Sequence, residues 1–223
     1  MIVKILSSAI LGIESYPVDV EVDTSRGLPQ FSTVGLPDAA VKESKDRIKA
    51  AIKNSGYSFP KGKITVNLAP ADVRKEGTSF DLPIAIGILT AEELVEIESL
   101  RHYMLHGELS LDGRVKGIAG TLSAAFQARE SGLKGIIVPR ENSVEAAMVD
   151  SIDVIAVDYL HEVVDFLNGL TEIPPTTIDI SDFFGKNRAH HYDFAEVSGQ
   201  EQAKRALEVA AAGGHNILNF NQV

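Results

Sequence analysis

Residues 74–89, RKEGTSFDLPIAIGIL, join a tight polar corner to an apolar helical run. Thr78 and Ser79 follow a glycine in the corner, and a helix is predicted to begin near Asp81, with Pro83 in its first turn, where proline costs little. A hydroxyl beside a helix start can cap the helix by accepting a backbone N–H, so Thr78 or Ser79 is a candidate cap. The same position also suits a nucleophilic serine, which would be Ser79.

Strand and helix patterns alternate on the N-terminal side of this segment. A helix is predicted from its N-cap Asp38 to about Ser55, with Gly56 as its stop. Runs with the period of a half-buried strand, or bracketed by glycine and proline, predict strands. These are YPVDVEVD at 16–23, the β run within GLPQFSTVGLPD at 27–38, and KITVNLAP at 63–70.

On the C-terminal side the sequence predicts a hairpin followed by crossover units. Residues 102–118, HYMLHGELSLDGRVKGI, are predicted to form a strand pair turned by Asp112 and Gly113, a strong short hairpin signal. This mixture of hairpin and crossover units predicts an α+β domain over residues 1–170. Its other predicted elements are the helices GTLSAAFQARESG, SVEAAMV and YLHEVVDFLNGL and the buried strands KGIIVP and IDVIAV.

The composition changes after this domain. Residues 171–193 are polar, proline-rich and weakly patterned, which predicts a linker. Residues 194–223 are predicted to open a second unit, with a helix capped by Ser198 and a strand beginning at Asn216. The chain is therefore predicted to hold one whole domain and the start of another.

Charge and composition exclude several classes of function. The 223 residues include no cysteine, which excludes disulfides and thiolate metal sites and suits the reducing cytoplasm, where we expect the protein. No apolar run is long enough to span a membrane. A formal net charge of -10 argues against a nucleic-acid surface spread over the whole chain. Residues 41–63 differ, since seven Lys or Arg stand there against two acidic residues.

Three stretches resemble one bacterial protein family. Residues 31–89, from FSTVGLPDAAVKES to FDLPIAIGIL, resemble the N-terminal region of the ComM/YifB proteins, the magnesium-chelatase-like AAA+ ATPases. HGELSLDGRVKGIAG at 106–120 resembles the hairpin that this family shares with the Lon protease domain, and DFAEVSGQEQAKRALEVAAAGGHNIL at 193–218 resembles the entry into its ATPase module. The resemblance implies a ribosomal protein S5 domain 2-like fold for a degenerate Lon-protease-like domain, followed by the truncated start of a AAA+ module.

The resemblance to Lon proteases also bears on the serine. It places Ser79 at the nucleophile's position and Ala124 at the position of the lysine that activates it. A Ser–Lys dyad needs an amine with a lowered pKa, and the helix holding Ala124 contains no lysine. Phe80 and Asp81 are expected to obstruct a substrate carbonyl beside Ser79. We therefore expect no catalytic residue, and we interpret Ser79 and Ala124 as vestigial.

Two other lysines could in principle replace the missing base. Lys75 lies four residues before Ser79, and Lys116 lies in the predicted hairpin. Both are expected in polar loop or edge surroundings, where an amine stays charged. Neither is therefore expected to activate the serine.

The family's ATPase module contains a Walker A loop whose backbone N–H groups and lysine cradle ATP phosphates. No GxxxxGK[ST] pattern occurs here, and the departure from the family begins at Asn219, which we interpret as a truncation. The resemblance assigns Val197, Gly199 and Gln200 to the adenine side of a nucleotide site that is incomplete in this chain. We expect no cofactor in this fragment, and ATP with Mg²⁺ in the full-length parent.

Four lysines follow one face of the helix predicted at 38–55. Lys42, Lys45, Lys49 and Lys53 are spaced three, four and four residues apart. Such a stripe is usually an ordinary solvated face. The functional alternative is that several subunits of a ring present it to DNA phosphates, in which case binding would weaken steeply with salt.

No metal site is predicted. His190 and His191 are adjacent on an extended segment and therefore point in opposite directions, so they are not expected to share a metal with Asp193.

For the parent protein, the resemblance implies an ATP-driven motor, a homo-hexameric ring that promotes branch migration of DNA during natural transformation. On this hypothesis the first domain organises the ring or contacts DNA, with no membrane partner. Two alternatives stay open. One is a chelatase-type motor that remodels a protein partner, and the other is a peptidase centred on Ser79.

Overall fold

The computed structural model describes residues 2–179 and 194–218, which belong to two compact units divided between Ile178 and Asp179. Each unit is described separately. The strands of the first unit are β1 (Ile2–Leu11), β2 (Glu14–Ser25), β3 (Gln30–Val34), β4 (Lys63–Ala69), β5 (Tyr103–Leu105), β6 (Glu108–Leu109), β7 (Val115–Lys116), β8 (Gly135–Pro139) and β9 (Asp153–Val157). Its helices are α1 (Ala39–Asn54), α2 (Asp81–Ala91), α3 (Ile97–Leu100), α4 (Thr121–Glu130), α5 (Ser143–Ala146) and α6 (Leu160–Leu167).

A four-stranded mixed sheet in the order β1-β2-β4-β3 forms the larger sheet of this unit. β1 and β2 form a long antiparallel hairpin, β4 pairs antiparallel with β2, and β3 adds to β4 in parallel. Because side chains alternate along a strand, every second residue faces the core. The buried positions on this face are Val3, Ile5, Val18, Val20, Val22, Ile64, Val66 and Leu68.

α2 packs on this sheet, and α1 packs on α2. Every residue of α2 is buried, which explains why its sequence is apolar apart from Asp81 and Thr90. Gly87 permits the close approach, because a Cβ there would lie 2.6 Å from Cγ2 of Val22 and 2.7 Å from Cδ1 of Ile5. α1 begins as the sequence predicts, with the Asp38 carboxylate accepting the N–H of Val41 at 2.8 Å.

A second, parallel sheet in the order β5-β8-β9 carries a smaller apolar cluster between it and α4. α4 also contacts β1 and β2, so it connects the two sheets. β6 and β7 form a short antiparallel hairpin whose turn contains Gly113 at a φ of 89°, a conformation that glycine adopts without strain.

The predicted α+β class is confirmed, but the strands differ from the sequence prediction in two places. The sequence patterns do not predict β1. The predicted strand pair at 102–118 is divided between two sheets, because Tyr103–Leu105 pairs with β8 and only Glu108–Leu109 pairs with β7. The chain changes partners between them, where His106 N donates to Ile137 O and Gly107 N donates to Ser79 O.

The second unit contains, in its described part, a 3₁₀ turn (Phe194–Glu196) and a helix α7 (Glu201–Gly213). The prediction that Ser198 caps this helix is wrong, because the N-cap is Gln200 in a left-handed conformation without a side-chain hydrogen bond. The predicted strand at Asn216 is also wrong for residues 215–218, which have no regular structure after the helix ends at a left-handed Gly214.

The predicted linker lies partly outside the described residues. In its described part, Thr176 N donates to Val154 O at 2.8 Å, which attaches this segment to β9. The boundaries at 170 and 194 and the S5 domain 2-like assignment stay predictions. Across both described ranges, no helix has the length and apolarity that a bilayer crossing requires.

Candidate functional site

The corner containing Ser79 is fixed by the backbone of the segment that follows β5. Gly107 N donates to Ser79 O, and Leu82 N donates to Gly107 O, each at 3.0 Å. The Ser79 side chain is half-buried, and its hydroxyl forms no hydrogen bond within residues 2–179 and 194–218. The corner therefore has a fixed backbone and a serine without a proton acceptor in the described part of the chain.

Neither hydroxyl of the corner caps α2, which corrects the sequence prediction. The N-cap is Phe80, and it makes no side-chain hydrogen bond. Thr78 instead donates its hydroxyl to the Glu108 carboxylate on the β6–β7 hairpin. The carboxylate is the stronger acceptor for the Thr78 hydroxyl because it is charged. In the first turn of α2, the N–H of Leu82 is satisfied by the carbonyl oxygen of Gly107 instead of a side-chain cap.

Phe80 and Asp81 do not obstruct Ser79 as expected, because both are directed into the protein. Phe80 belongs to the main apolar core. The Asp81 carboxylate, which is 1% exposed, accepts from Arg47 Nε at 2.8 Å and Nη2 at 3.1 Å, and from Leu109 N at 3.3 Å. Burial raises the pKa of Asp81 to about 6, while the bonds from Arg47 oppose that rise. This pair attaches α1 to the first turn of α2, directly after the corner.

The position that the resemblance assigns to the dyad lysine holds a buried methyl group. Ala124 lies on α4 inside the smaller apolar cluster, together with Met104 and Ile136. Lys116 is exposed on β7, in agreement with the sequence prediction. Within the described residues, no amine or imidazole that could act as a base forms a hydrogen bond with the Ser79 hydroxyl.

Lys75 departs from its predicted environment, because its side chain is fully buried rather than solvated. Its amine donates to the carbonyl oxygens of Pro70 and of Val73, the latter at 2.7 Å. Burial lowers the pKa of Lys75, as a catalytic base would require. The amine is nevertheless bonded to its own loop and not to Ser79. Its backbone also pairs with Leu36 and Asp38, so this lysine holds the loop against the start of α1.

His106 is a buried polar residue that sequence reasoning missed. Its Nδ1 lies 3.5 Å from Ser7 Oγ, and its Nε2 has no partner within the described ranges. Burial lowers the pKa of His106 to about 4, so the ring is neutral at physiological pH. The ring is fully buried, so it packs beside the corner without access to a substrate.

The lysine stripe lies on the exposed side of α1. Lys42, Lys45, Lys49 and Lys53 are all exposed, and none pairs with a carboxylate within the described residues. The opposite side of α1 carries the core residues, as the spacing predicts. These buried residues are Val41, Ser44, Ile48, Ala51 and Ile52.

Three of these lysines line one wall of a cleft of about 840 Å³ beside α1. They are Lys45, Lys49 and Lys53, whereas Lys42 lies outside the lining. The facing wall is the segment 56–62, between α1 and β4. Lys49 Nζ stands 6.0 Å from the ring centre of Phe59 in that segment, within cation–π range. Sequence reasoning found the stripe but not the facing wall.

The residues that the resemblance assigns to the adenine side of a nucleotide site lie at the start of the second unit. Val197, Gly199 and Gln200 are all exposed. Val197 N donates to Phe194 O at 3.2 Å, and Gln200 is the left-handed N-cap of α7. In the described part of this unit they form a surface turn and not an enclosed site.

Metal-binding side chains are not clustered in the described ranges, where no group of three His, Cys, Asp or Glu residues is arranged to hold an ion. His190, His191 and Asp193 lie outside the described residues.

Two family models match the chain. The model described as subunit ChlI of Mg-chelatase matches residues 20–142, which include the corner, α1 and the hairpin. The model described as magnesium chelatase, subunit ChlI, matches residues 193–221 in the second unit.

Curated relatives match over most of the chain. The uncharacterized protein YifB of Escherichia coli is 46% identical over 212 residues, covering 94% of this chain and 40% of YifB. Competence protein ComM of Haemophilus influenzae is 40% identical over 218 residues, covering 96% of this chain and 42% of ComM. Lon protease 2 of Bacillus subtilis is 31% identical over 165 residues, covering 70% of this chain and 29% of that protease. The chain thus spans about two fifths of the length of YifB and ComM.

Proposed function

Because the chain belongs to the ComM/YifB family of magnesium-chelatase-like AAA+ proteins, we propose that it is the non-catalytic N-terminal part of an ATP-driven motor that acts on DNA. In this proposal the full-length parent is a cytoplasmic homo-hexameric ring that binds ATP and Mg²⁺ and promotes branch migration during natural transformation. The printed name of the Haemophilus relative, competence protein, supports that process.

The observation that carries the proposal is the lysine face of α1. Four exposed lysines follow one side of a helix that is firmly attached by the Arg47–Asp81 pair. No described carboxylate neutralises them, in a chain whose formal net charge is -10. Six copies in a ring would present many such phosphate contacts, whose energies add and whose binding is strongly salt-dependent.

The corner and α4 support the non-catalytic half of the proposal. Ser79 lacks an activating base, Ala124 fills the base's position with a buried methyl group, and the amine of Lys75 is bonded elsewhere. The similarity to Lon protease 2 supports a Lon-like, S5 domain 2-like fold that has lost the chemistry. In this proposal the domain organises the ring or contacts DNA.

The test is ATP-dependent branch migration of a synthetic four-way junction by the full-length parent. The proposal expects strand exchange with ATP and Mg²⁺, and none with a non-hydrolysable analogue. An active ATPase that leaves the junction unchanged would contradict it. That result would favour the alternative suggested by the family models' description, a chelatase-type motor that remodels a protein partner.

A further inference from the structure

The cleft beside α1 combines two chemistries that the sequence pattern kept apart. Lysines of α1 form one wall, and a fourth lysine, Lys61, stands on the facing segment. Three aromatic side chains also line the cleft, each half-buried against the core and so held in place: Phe31, Tyr57 and Phe59. Cations flanking fixed aromatic rings are the elements with which proteins bind single-stranded nucleic acid.

We propose that this cleft binds single-stranded DNA, with the backbone phosphates on the lysines and unstacked bases against Tyr57 and Phe59. The inference deepens the proposed function, and it rests on it for the choice of DNA. A duplex keeps its base faces stacked inside the helix and so cannot use the rings. A cleft of about 840 Å³ has the size of a pocket for small ligands, which admits individual bases but not a duplex.

Uncommitted polar groups in the cleft fit the same ligand. The side chains of Gln30 and Ser58 line it, and neither forms a hydrogen bond within the described residues. They can therefore meet the edges of bases. The basic character continues beyond Lys61 into an adjoining depression, where Arg26 and Lys63 stand with one carboxylate, that of Glu92. A strand lying along the cleft would thus keep its phosphates near positive charge as it leaves.

The experiment measures binding of a fluorescently labelled twelve-nucleotide oligothymidylate to the 223-residue chain by anisotropy. The same measurement uses a duplex of equal length and an oligouridylate of equal length. We expect the single-stranded DNA to bind more tightly than the duplex. Phe59→Leu removes a stacking face and is expected to weaken single-strand binding about 5- to 100-fold.

Lys49→Gln tests the phosphate contact. One contact fewer should reduce the slope of log affinity against log salt by ~0.7 for a single strand. The matched control for Phe59→Leu is Phe126→Leu on α4. Phe126 is also an accessible ring beside a cation, because the Arg129 guanidinium lies 4.8 Å from its centre. This control is expected to bind like the unchanged chain.

A photocrosslink keeps the test valid should Phe59→Leu disturb folding. Oligothymidylate carrying 5-iododeoxyuridine is irradiated with the unchanged chain, and mass spectrometry should locate the crosslink on Tyr57 or Phe59. The inference is overturned by equal affinity for duplex and single strand, by a crosslink elsewhere, or by tighter binding of oligouridylate. If a parent carrying Phe59→Leu migrates the junction at the unchanged rate, the role of the cleft in DNA binding is contradicted and the proposed function stands. If the wild-type parent does not migrate the junction, the proposed function itself is contradicted.

Discussion

The buried ring of His106 makes the stability of the first unit depend on pH in a calculable way. The ring is fully buried, and its nearest polar partner in the described residues is the hydroxyl of Ser7 at 3.5 Å. Burial alone lowers the pKa of His106 to about 4. The perturbation we consider is His106→Asn, which keeps a polar atom near Ser7 but cannot gain a proton in this range.

The magnitude follows from the two pKa values of His106. The unfolded chain has a pKa of about 6.5 and the folded chain about 4, so the difference is worth about 3.4 kcal/mol at 1.36 kcal/mol per unit. Between these values the unfolded state binds more protons, so the free energy of unfolding falls as pH falls. Well above pH 6.5 the ring is neutral in both states and the free energy of unfolding is unaffected. At pH 5 the free energy of unfolding is about 2 kcal/mol lower because the unfolded chain binds the proton.

The assay is urea unfolding followed by circular dichroism at pH 8 and pH 5. The free energy of unfolding of the unchanged chain should fall by about 2 kcal/mol more than that of His106→Asn between these pH values. His102→Asn, a substitution of an exposed histidine in the same segment, serves as the control and should behave like the unchanged chain. An equal fall in all three proteins would refute the reasoning.

Three further predictions concern the corner and α4. Arg47→Leu leaves the Asp81 carboxylate buried without its cationic partner and should lower the free energy of unfolding in urea by about 3–5 kcal/mol at pH 8. Because the folded pKa of Asp81 is raised to about 6, protonation favours the folded state as pH falls, so the cost should be smaller at pH 5; an equal cost at both pH values would contradict this. Ala124→Lys puts an amine into an apolar cluster and should lower the unfolding free energy by ~3 kcal/mol at pH 7 but less at pH 10, and a pH-independent cost would show that the lysine reaches solvent. A fluorophosphonate should leave Ser79 unmodified, as read by mass spectrometry, and its labelling would restore the peptidase hypothesis.

Local patterns made α1 predictable and left β1 unrecognised. In α1 the Asp38 cap, the apolar face and the lysine face are all local signals, and the structure contains each of them. β1 lacks a clear alternation because Ser7, Ser8 and Ala9 are all buried, on both sides of the strand. α4 packs against β1 and covers it. Because the contact with α4 buries residues on both sides of β1, the strand lacks the apolar–polar alternation by which a strand is recognised from sequence.

The candidate sites show the same division between local and tertiary information. The position of Ser79 before a buried helix follows from local sequence, and so does the missing lysine of α4. The burial of Lys75 depends on a loop that folds back, so that its amine meets the carbonyl oxygens of Pro70 and Val73. The cleft depends on the segment 56–62 returning alongside α1, which brings Phe59 to Lys49. Neither arrangement has a signature in the spacing of residues along the chain.

The central claim is that the lysine face of α1 contacts DNA, and a charge-matched comparison in the full-length parent tests it most directly. One variant changes Lys42, Lys45, Lys49 and Lys53 to Glu. The control changes four exposed basic residues elsewhere to Glu and so alters the net charge equally. The control residues are Lys4, Lys116, Arg129 and Lys134.

DNA binding is measured for both variants at low salt and over a salt series. The account predicts that the α1 variant loses DNA binding, whereas the control keeps it with a salt dependence close to that of the unchanged parent. Equal binding by the two variants would contradict the account, because the lysine face would then contribute only its share of the overall charge.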